Sequence, residues 1–370
     1  MRHSSTVNRQ QLAGPVVTWG CPGESSHDEV SHVALTRRVA DFLGREYGGR
    51  LEDYRLSERP YCVPLATLCG TECGPRLADI TEADFLGGWV RDPITATKAI
   101  VHPLAPDEVA PGNWPASFAF AAADLTLSGF TALTRGGAMR AGKKLLENGD
   151  VRIKLVSASG GVQQYVVRSS GELLDIVDAL TGENGLCDSL VLEENLDEVS
   201  TFSVGEISLG GISASYVGEQ QLTRNNQGQE VYGGSCLRVF RGKLAELVDA
   251  LSGEDCDVCT LGMRFDNLAT AHLGLVASRR NYDIVRGRHS SGAVKVAVLE
   301  QSWRVGGASG AEIAALEAFA RDPGLSQVCA STVELYGEGN VPPVDGDVYF
   351  HGIDRELGPL LKYSYVQDHN

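Results

Sequence analysis

Positive charge is scarce in this sequence. Thirty-two lysines and arginines face 48 aspartates and glutamates, a formal net charge of −16 over 370 residues. That balance excludes general affinity for nucleic-acid phosphate, which rests on clustered cations releasing counterions. An acidic surface of this kind serves solubility. Long apolar runs are missing too: none approaches the ~20 residues of a membrane span, and the opening MRHSSTVNRQQLAGPVV lacks the apolar segment of a secretory signal. The expectation is a cytoplasmic protein with neither a nucleic-acid nor a membrane partner. Nine cysteines are an odd number spread through a long chain, so a disulfide framework is not expected. Cys69 with Cys73 and Cys256 with Cys259 have the numbers for a four-thiolate zinc site. The second pair falls in a segment of helical periodicity, however, and neither pair has the turn-forming neighbours of a zinc knuckle. Internal repeats and low-complexity tracts are absent.

What is present is globular: 43% hydrophobic and 22% charged residues, enough chain for two or three domains. PVVTW (15–19) reads as a buried strand. A helix follows through SSHDEVSHVALTRRVADFLGREYGG, with Val30, Val33 and Phe42 among its apolar positions and a stop at Gly48 and Gly49. RPYCVP (59–64) reads as a second strand. The proline-rich LAPDEVAPGNWP (104–115) suits a linker, which puts a domain boundary near residue 112.

Beyond it the order is a helix over 137–147, a strand VRIKLV (151–156), a small-residue loop SASGG, a strand QQYVV, a helix opening on a Ser169 to Glu172 capping box, and a strand SLVLEE (189–194). FSVGEISLGGISASYV reads as a strand pair. QLTRNNQGQEVYGGS (221–235), with no apolar period, predicts a long mobile loop, and loops of that length in compact domains are often lids. Helices follow near 243–251 and 256–268.

Several residues carry possible chemistry. GAMRAGKK (137–144) fits the spacing of a phosphate-binding P-loop, but Lys144 stands where a magnesium-holding Ser or Thr is needed and no strand precedes it. The stronger signal is the strand pair NYDIVRGRH and VKVAVLE. If Ser290 to Ala293 form a four-residue turn, His289 pairs with Val294 and Asp283 falls directly opposite Glu300, with Cβ atoms about 4.5–5.5 Å apart. Two such carboxylates repel, so one is protonated or a cation lies between them, and magnesium suits all-oxygen ligands. Ser302 keeps the same parity. A slipped register that leaves one carboxylate in water is equally consistent with the sequence. After Glu300, QSWRVGGAS leads to a helix expected to open on a Ser309 to Glu312 capping box. The N–H groups of Gly306 and Gly307, with Arg304, suit an anion, although a tight turn closed by a surface arginine fits as well. Lys154, inside VRIKLV, either points to solvent or meets a phosphate beneath the glycine loop, and Lys98 is equally ambiguous.

These residues, in this order, resemble the ATP-grasp superfamily. The pattern runs from Lys98 to Gly307: a lysine ahead of the grasp domain, a strand lysine before a glycine loop, an LVLEENL hinge, a lid segment, and paired strands ending in an acid followed by an Arg-Gly turn. ASRRNYD, LTRNNQGQEVYGGS and LEQSWRVGGASGAEIAALEAF resemble more closely a bacterial ATP-grasp-like family of unassigned function.

The resemblance implies an α+β fold in which two subdomains clasp a nucleotide, with a small N-terminal α/β domain over 1–112, a lysine-bearing subdomain over 113–190 and a larger one over 191–370. It implies ATP and magnesium as cofactors and an ADP-forming carboxylate-amine ligase working on small molecules; a kinase on the same scaffold and a non-catalytic nucleotide-binding protein are the alternatives. Dimers are common in the superfamily, so a homodimer is admitted. Lys98, Lys154 and the flap Ser157, Ser159, Gly160 and Gly161 would meet phosphates. The hinge Glu193, Glu194, Asn195 and Leu196 would hold adenine, and Glu198 the ribose. Asp283, Glu300 and Ser302 would bind metal. Arg224, Arg280 and Arg304 would steady phosphoryl groups. Ser302 departs from the usual asparagine.

Overall fold

The computed structural model of the chain describes residues 14–20, 26–54, 58–70, 80–158, 163–182, 185–186 and 188–367. Its first unit is a three-stranded parallel sheet with Val16–Trp19 between Tyr47–Arg50 and Tyr61–Pro64. The helix His27–Leu43 opens on a reciprocal capping box between Ser26 and Glu29, and it ends at Gly44 in the left-handed region (φ 64°). The helix therefore stops four residues before the glycine pair expected to end it. Gly48 and Gly49 lie instead inside a short strand, because Gly44 already supplies the left-handed cap that releases the last turn.

A four-stranded antiparallel sheet follows, in the order Gly129–Ala132, Leu190–Glu194, Val151–Leu155, Gln164–Val167. The helices Arg135–Leu146 and Ser170–Ala179 bury Ala138, Ala141, Leu145, Leu173 and Val177 against Val151, Ile153, Leu190 and Leu192. The segment around residue 108 is tied to this unit, since Glu108 accepts from Leu133 N and Thr134 N at the start of the first helix.

The largest element is an antiparallel sheet of eight strands, in the order Val294–Ser302, Arg279–Arg288, Asp197–Leu209, Ile212–Arg224, Glu230–Arg241, Gln327–Tyr336, Gly358–Val366, Asp347–Asp354. Strand alternation gives it two different faces. On one, the helix Gly253–Leu273 buries Val258, Phe265 and Ala269 against Phe202, Val204, Tyr282 and Ile284. On the other, the helix Ser309–Arg321 sets Ile313, Leu316 and Phe319 against Ile207, Tyr216, Leu237 and Val239, joined by Leu35 and Val39 of the N-terminal helix.

The expected mobile loop over 221–235 is largely strand. Gln221–Arg224 and Glu230–Ser235 are arms of a hairpin in register with each other. Its tip is built by Asn225, whose side chain accepts from Gln227 N and Gln229 N. The tip is docked: Asn226 Nδ2 donates to Pro359 O at 3.0 Å and Gln227 Nε2 to Glu356 O. Polar residues carry no apolar period in exposed hairpin arms, where backbone bonding does the pairing, so the segment reads as a loop. The α+β class is as the sequence led us to expect.

Candidate active site

Asp283 and Glu300 face each other across the hairpin, as predicted, but by a different route. The turn is one residue tighter than assumed, with Arg288 opposite Val294, and an extra residue at Leu299 shifts the register by one before Asp283 is reached. The bulge restores the pairing that the wrong turn would have lost.

Asp283 Oδ1 accepts from Asn281 Nδ2 at 2.9 Å and Gln220 Nε2 at 2.8 Å. Burial, and then the neighbouring Glu300 carboxylate, push Asp283 up to about 6. Glu300 finds its counter-charge elsewhere: Lys98 Nζ lies 2.7 Å from Glu300 Oε2 and donates to Ala158 O at 2.8 Å. One ammonium thus ties Glu300 to the root of the expected flap. Gln301, next along, anchors the Lys98 segment by donating to Thr97 O at 2.8 Å.

Lys154 does not point to solvent. Its Nζ is 2.6 Å from Glu193 Oε1, and His102 Nε2 lies 3.2 Å from Glu193 Oε2, with all three side chains under 10% exposed. Burial opposes the charge on Glu193, yet Lys154 and His102 hold its carboxyl down to about 2. Gly129, opposite Glu193, makes room for the histidine, since a Cβ there would come within 2.8 Å of the imidazole.

The hinge is less open than expected. Glu194 N and Asn195 N are already bonded to Ser128 O and Asp150 O, so a purine cannot take these two donors without displacing those bonds. The Glu194 carboxylate accepts from Ser128 N and pairs with Lys295, and Asn195 accepts from Arg152. The Leu196 side chain is core. Glu198, at φ 50°, is exposed and pairs with Arg288 at 3.3 Å. In the flap, Ser157 is exposed and its N–H is held by Asp188. Ser159, Gly160 and Gly161 lie outside the described residues, as does Cys73.

The three arginines part company. Arg280 has the opposite parity to Asp283 and projects from the other face of the sheet, 3.1 Å from Asp266 on the helix Gly253–Leu273. That corrects its expected place beside the phosphoryl group. Arg224 is exposed and bonds Gly228 O of its own turn. Arg304 donates to Val305 O at 2.9 Å; burial and the nearby Arg279 lower its hold on its proton, and Asp28, Glu300 and Asp283 act the other way.

Sequence reasoning missed the group behind the carboxylates. Arg279, 1% exposed, pairs with Glu312, 0% exposed, through Nη2 to Oε1 at 2.7 Å and Nε to Oε2 at 3.0 Å. Tyr216 OH donates to the same carboxylate and bonds Asn281 Oδ1 at 3.1 Å. Gly205, across the sheet, leaves space for that phenol, where a Cβ would sit 2.3 Å from the hydroxyl. Burial alone would loosen the Arg279 proton, but Glu312 raises its affinity above the ordinary value. Glu312 therefore does not form the capping box expected at Ser309; that helix starts without a side-chain cap and Ser309 Oγ accepts from Gly306 N instead. Asn281, two residues before Asp283, was legible by parity, whereas Glu312 carried no such signal. Ser302 lies opposite Asn281, and its carbonyl and hydroxyl meet Arg279 at 2.9 and 3.5 Å.

Among the described residues, no group of three or more His, Cys, Asp or Glu side chains is placed to hold a metal ion. Cys259 is buried, and burial with Asp255 pushes its thiol up to about 12. No helix of the described residues is long and apolar enough to cross a membrane.

A four-stranded and an eight-stranded antiparallel sheet, with paired acids on a hairpin of the larger, make the ATP-grasp fold, and solved structures agree. The chain is similar to phosphoribosylamine-glycine ligase from Thermotoga maritima (TM-score 0.52, 13% identity, 96% of this chain and 92% of that one). It is also similar to carboxyaminoimidazole ribonucleotide synthase from Aspergillus clavatus complexed with ATP (0.53, 10%, 96% and 94%). A third is the biotin carboxylase domain dimer of 2-oxoglutarate carboxylase from Hydrogenobacter thermophilus, in complex with MgADP, ADP and bicarbonate (0.57, 12%, 96% and 87%). Identities this low establish the fold alone. No curated protein matches the chain. Over residues 19–364 it matches the family described as protein of unknown function, DUF3182, and it belongs to that family.

Proposed function

We propose that the protein is an ATP-dependent ligase joining a small carboxylate to an amine or similar nucleophile. The observation that carries this reading is the set Asp283, Glu300 and Lys98, a facing pair of carboxylates of which Glu300 is paired with an ammonium. Two of the structural neighbours were solved with adenine nucleotides, which supports ATP as the co-substrate here.

The donor set fits a hard divalent cation. Both groups are carboxylates, and Asp283 is raised to about 6 by burial and by Glu300, a repulsion that a cation between them would relieve. Asp283 and Glu300 would hold magnesium. The ion, when bound, neutralises phosphate charge. Ser302 is less suited to join them, being engaged by Arg279.

The chain's own residues do the rest. Lys98 and Lys154, each released from its carboxylate, meet phosphate oxygens. Arg304 and the Gly307 N–H orient the substrate carboxylate, the Gly306 N–H being held by Ser309. A carboxylate oxygen attacks the γ-phosphorus, the bond to the β-phosphate oxygen breaks, and ADP leaves. The nucleophile then adds to the acyl carbon, phosphate departs, and the amine loses a proton. The protein contributes positioning and charge stabilisation. A kinase on this scaffold would stop at a stable phosphoryl acceptor, and trapping with hydroxylamine separates the two, since only an acyl phosphate yields a hydroxamate.

Calorimetry of ATP binding tests the reading, with and without magnesium, in the native protein and in Glu300→Gln. The expected result is magnesium-dependent affinity that falls at least about tenfold in the variant, roughly 1.4 kcal/mol. Binding indifferent to both magnesium and Glu300 sinks the ligase and kinase readings together.

A further inference from the structure

The lysine that answers Glu300 is held differently at its two ends. Its backbone is fixed: Lys98 opens the short helical turn Lys98–Val101, in which Ala99 and Ile100 are wholly buried. Thr97 Oγ1 caps that turn by accepting from Ala99 N, Thr131 Oγ1 donates to Ala99 O at 2.6 Å, and Gln301 Nε2 donates to Thr97 O at 2.8 Å. Gln301 follows Glu300 in the strand Val294–Ser302, so the strand that presents the carboxylate also holds the base of the lysine.

The tip, by contrast, has partners on two different elements. Nζ lies 2.7 Å from Glu300 Oε2 on the large sheet and donates to Ala158 O at 2.8 Å, just beyond the small-sheet strand Val151–Leu155. The Lys98 side chain is 12% exposed and that of Glu300 29%, so the carboxylate can be reached from solvent while the ammonium rests on it. The charge count is uneven. Asp283 faces Glu300 across the hairpin and takes its hydrogen bonds from the neutral amides of Asn281 and Gln220, so one ammonium stands against two carboxylates. A lysine carries its compact charge on a flexible four-carbon stem, and the tip can leave Glu300 without any movement of the anchored backbone.

A divalent ion on the same carboxylate meets that ammonium as a like charge across a single carboxyl group, where water is scarce and repulsion is strong. We propose that Lys98 competes with magnesium for Glu300 and so sets the order of binding: the ion is held weakly until the phosphates of a nucleotide draw the ammonium off, and the two enter together. The inference rests on reading Asp283 and Glu300 as the metal pair. A triphosphate offers the ammonium several charged oxygens in place of the single carboxylate oxygen it gives up. The same movement takes Nζ from Ala158 O and loosens the root of the flap, a segment also held by Ser157 N on Asp188 and Ala158 N on Leu155 O. One side chain thereby couples arrival of the nucleotide to admission of the ion and to freedom of the flap.

The test uses manganese(II), whose free ion is counted by its paramagnetic resonance signal, titrated into the full chain with and without a non-hydrolysable ATP analogue. The forms compared are the native protein, Lys98→Met, Lys98→Gln and Lys143→Met, the last losing the same charge from an exposed helix position. Without nucleotide, both Lys98 variants are expected to bind manganese about tenfold or more tightly than the native protein, and Lys143→Met to match the native protein. Lys98 variants that bind no more tightly than the native protein, or a gain in Lys143→Met as large as theirs, overturn the proposal. Native protein that binds manganese equally with and without the analogue also overturns it, an outcome that stands even if the variants fold poorly. The metal reading is judged apart: manganese bound by the native protein with the analogue and lost in Glu300→Gln supports that reading whichever way Lys98 falls.

Discussion

Two charged regions share one face of the large sheet and are built from one strand, yet they behave in opposite ways. At Arg279 every charge is answered: the guanidinium meets both oxygens of Glu312 and the backbone of Ser302, out of reach of water. Four residues along, at Asp283, a half-buried carboxylate faces another carboxylate and is pushed up to about 6 by burial and that neighbour. The first region is closed and holds the helix Ser309–Arg321 against the sheet. The second is left in deficit of positive charge, which is the condition of a site awaiting a ligand. Saturation marks structure and deficit marks a candidate site.

The harshest way to break this contrast is Glu312→Gln. It leaves Arg279 buried with no counter-charge, and urea unfolding should show a loss of about 3–5 kcal/mol. A loss under about 1 kcal/mol would mean that the closed pair is not what fixes the helix.

Asp283→Asn should act with the opposite sign. The amide oxygen can still accept from Asn281 and Gln220, and the repulsion with Glu300 disappears. Asp283 is raised from 3.8 to about 6, so the folded state holds this proton more tightly than the unfolded chain. That contribution is fully present below 3.8 and is lost as pH rises through about 6. Without magnesium, the variant should therefore melt a few degrees above the native protein near about pH 8, with the gap closing toward about pH 4. A gap independent of pH would remove the deficit on which the comparison stands.

The mildest test sharpens the boundary of the open region. Arg224 is exposed and bonded to its own turn, so Arg224→Ala should change stability by no more than about 0.5 kcal/mol. Unchanged ATP affinity in that variant would keep the hairpin tip outside the site. A clear fall would draw it in as the lid that the sequence led us to expect.

Legibility followed the range of the interaction. Asp283 and Glu300 were found by parity within one hairpin, and the count survived a wrong turn length because the bulge at Leu299 compensated for it. Arg280 was misplaced by the resemblance and against its parity: three residues from Asp283 on one strand, it faces the opposite side. Lys154 was recognised as unusual, but its partner Glu193 sits on another strand and His102 outside the sheet altogether. Glu312 looked like a cap because three residues separate it from Ser309; its true partner is 33 residues away in sequence.

The sequence by itself determined the fold class and most of the order of elements, because these follow from strand period, capping and neighbouring turns, which are local; the facing acids needed the bulge at Leu299 as well. Only the tertiary structure decided which charges are answered and which stand open. Whether Glu312, Glu193 or Arg304 finds a partner depends on elements brought together from far along the chain, and in a low-dielectric interior that partner sets the charge, the protonation and the role of the group.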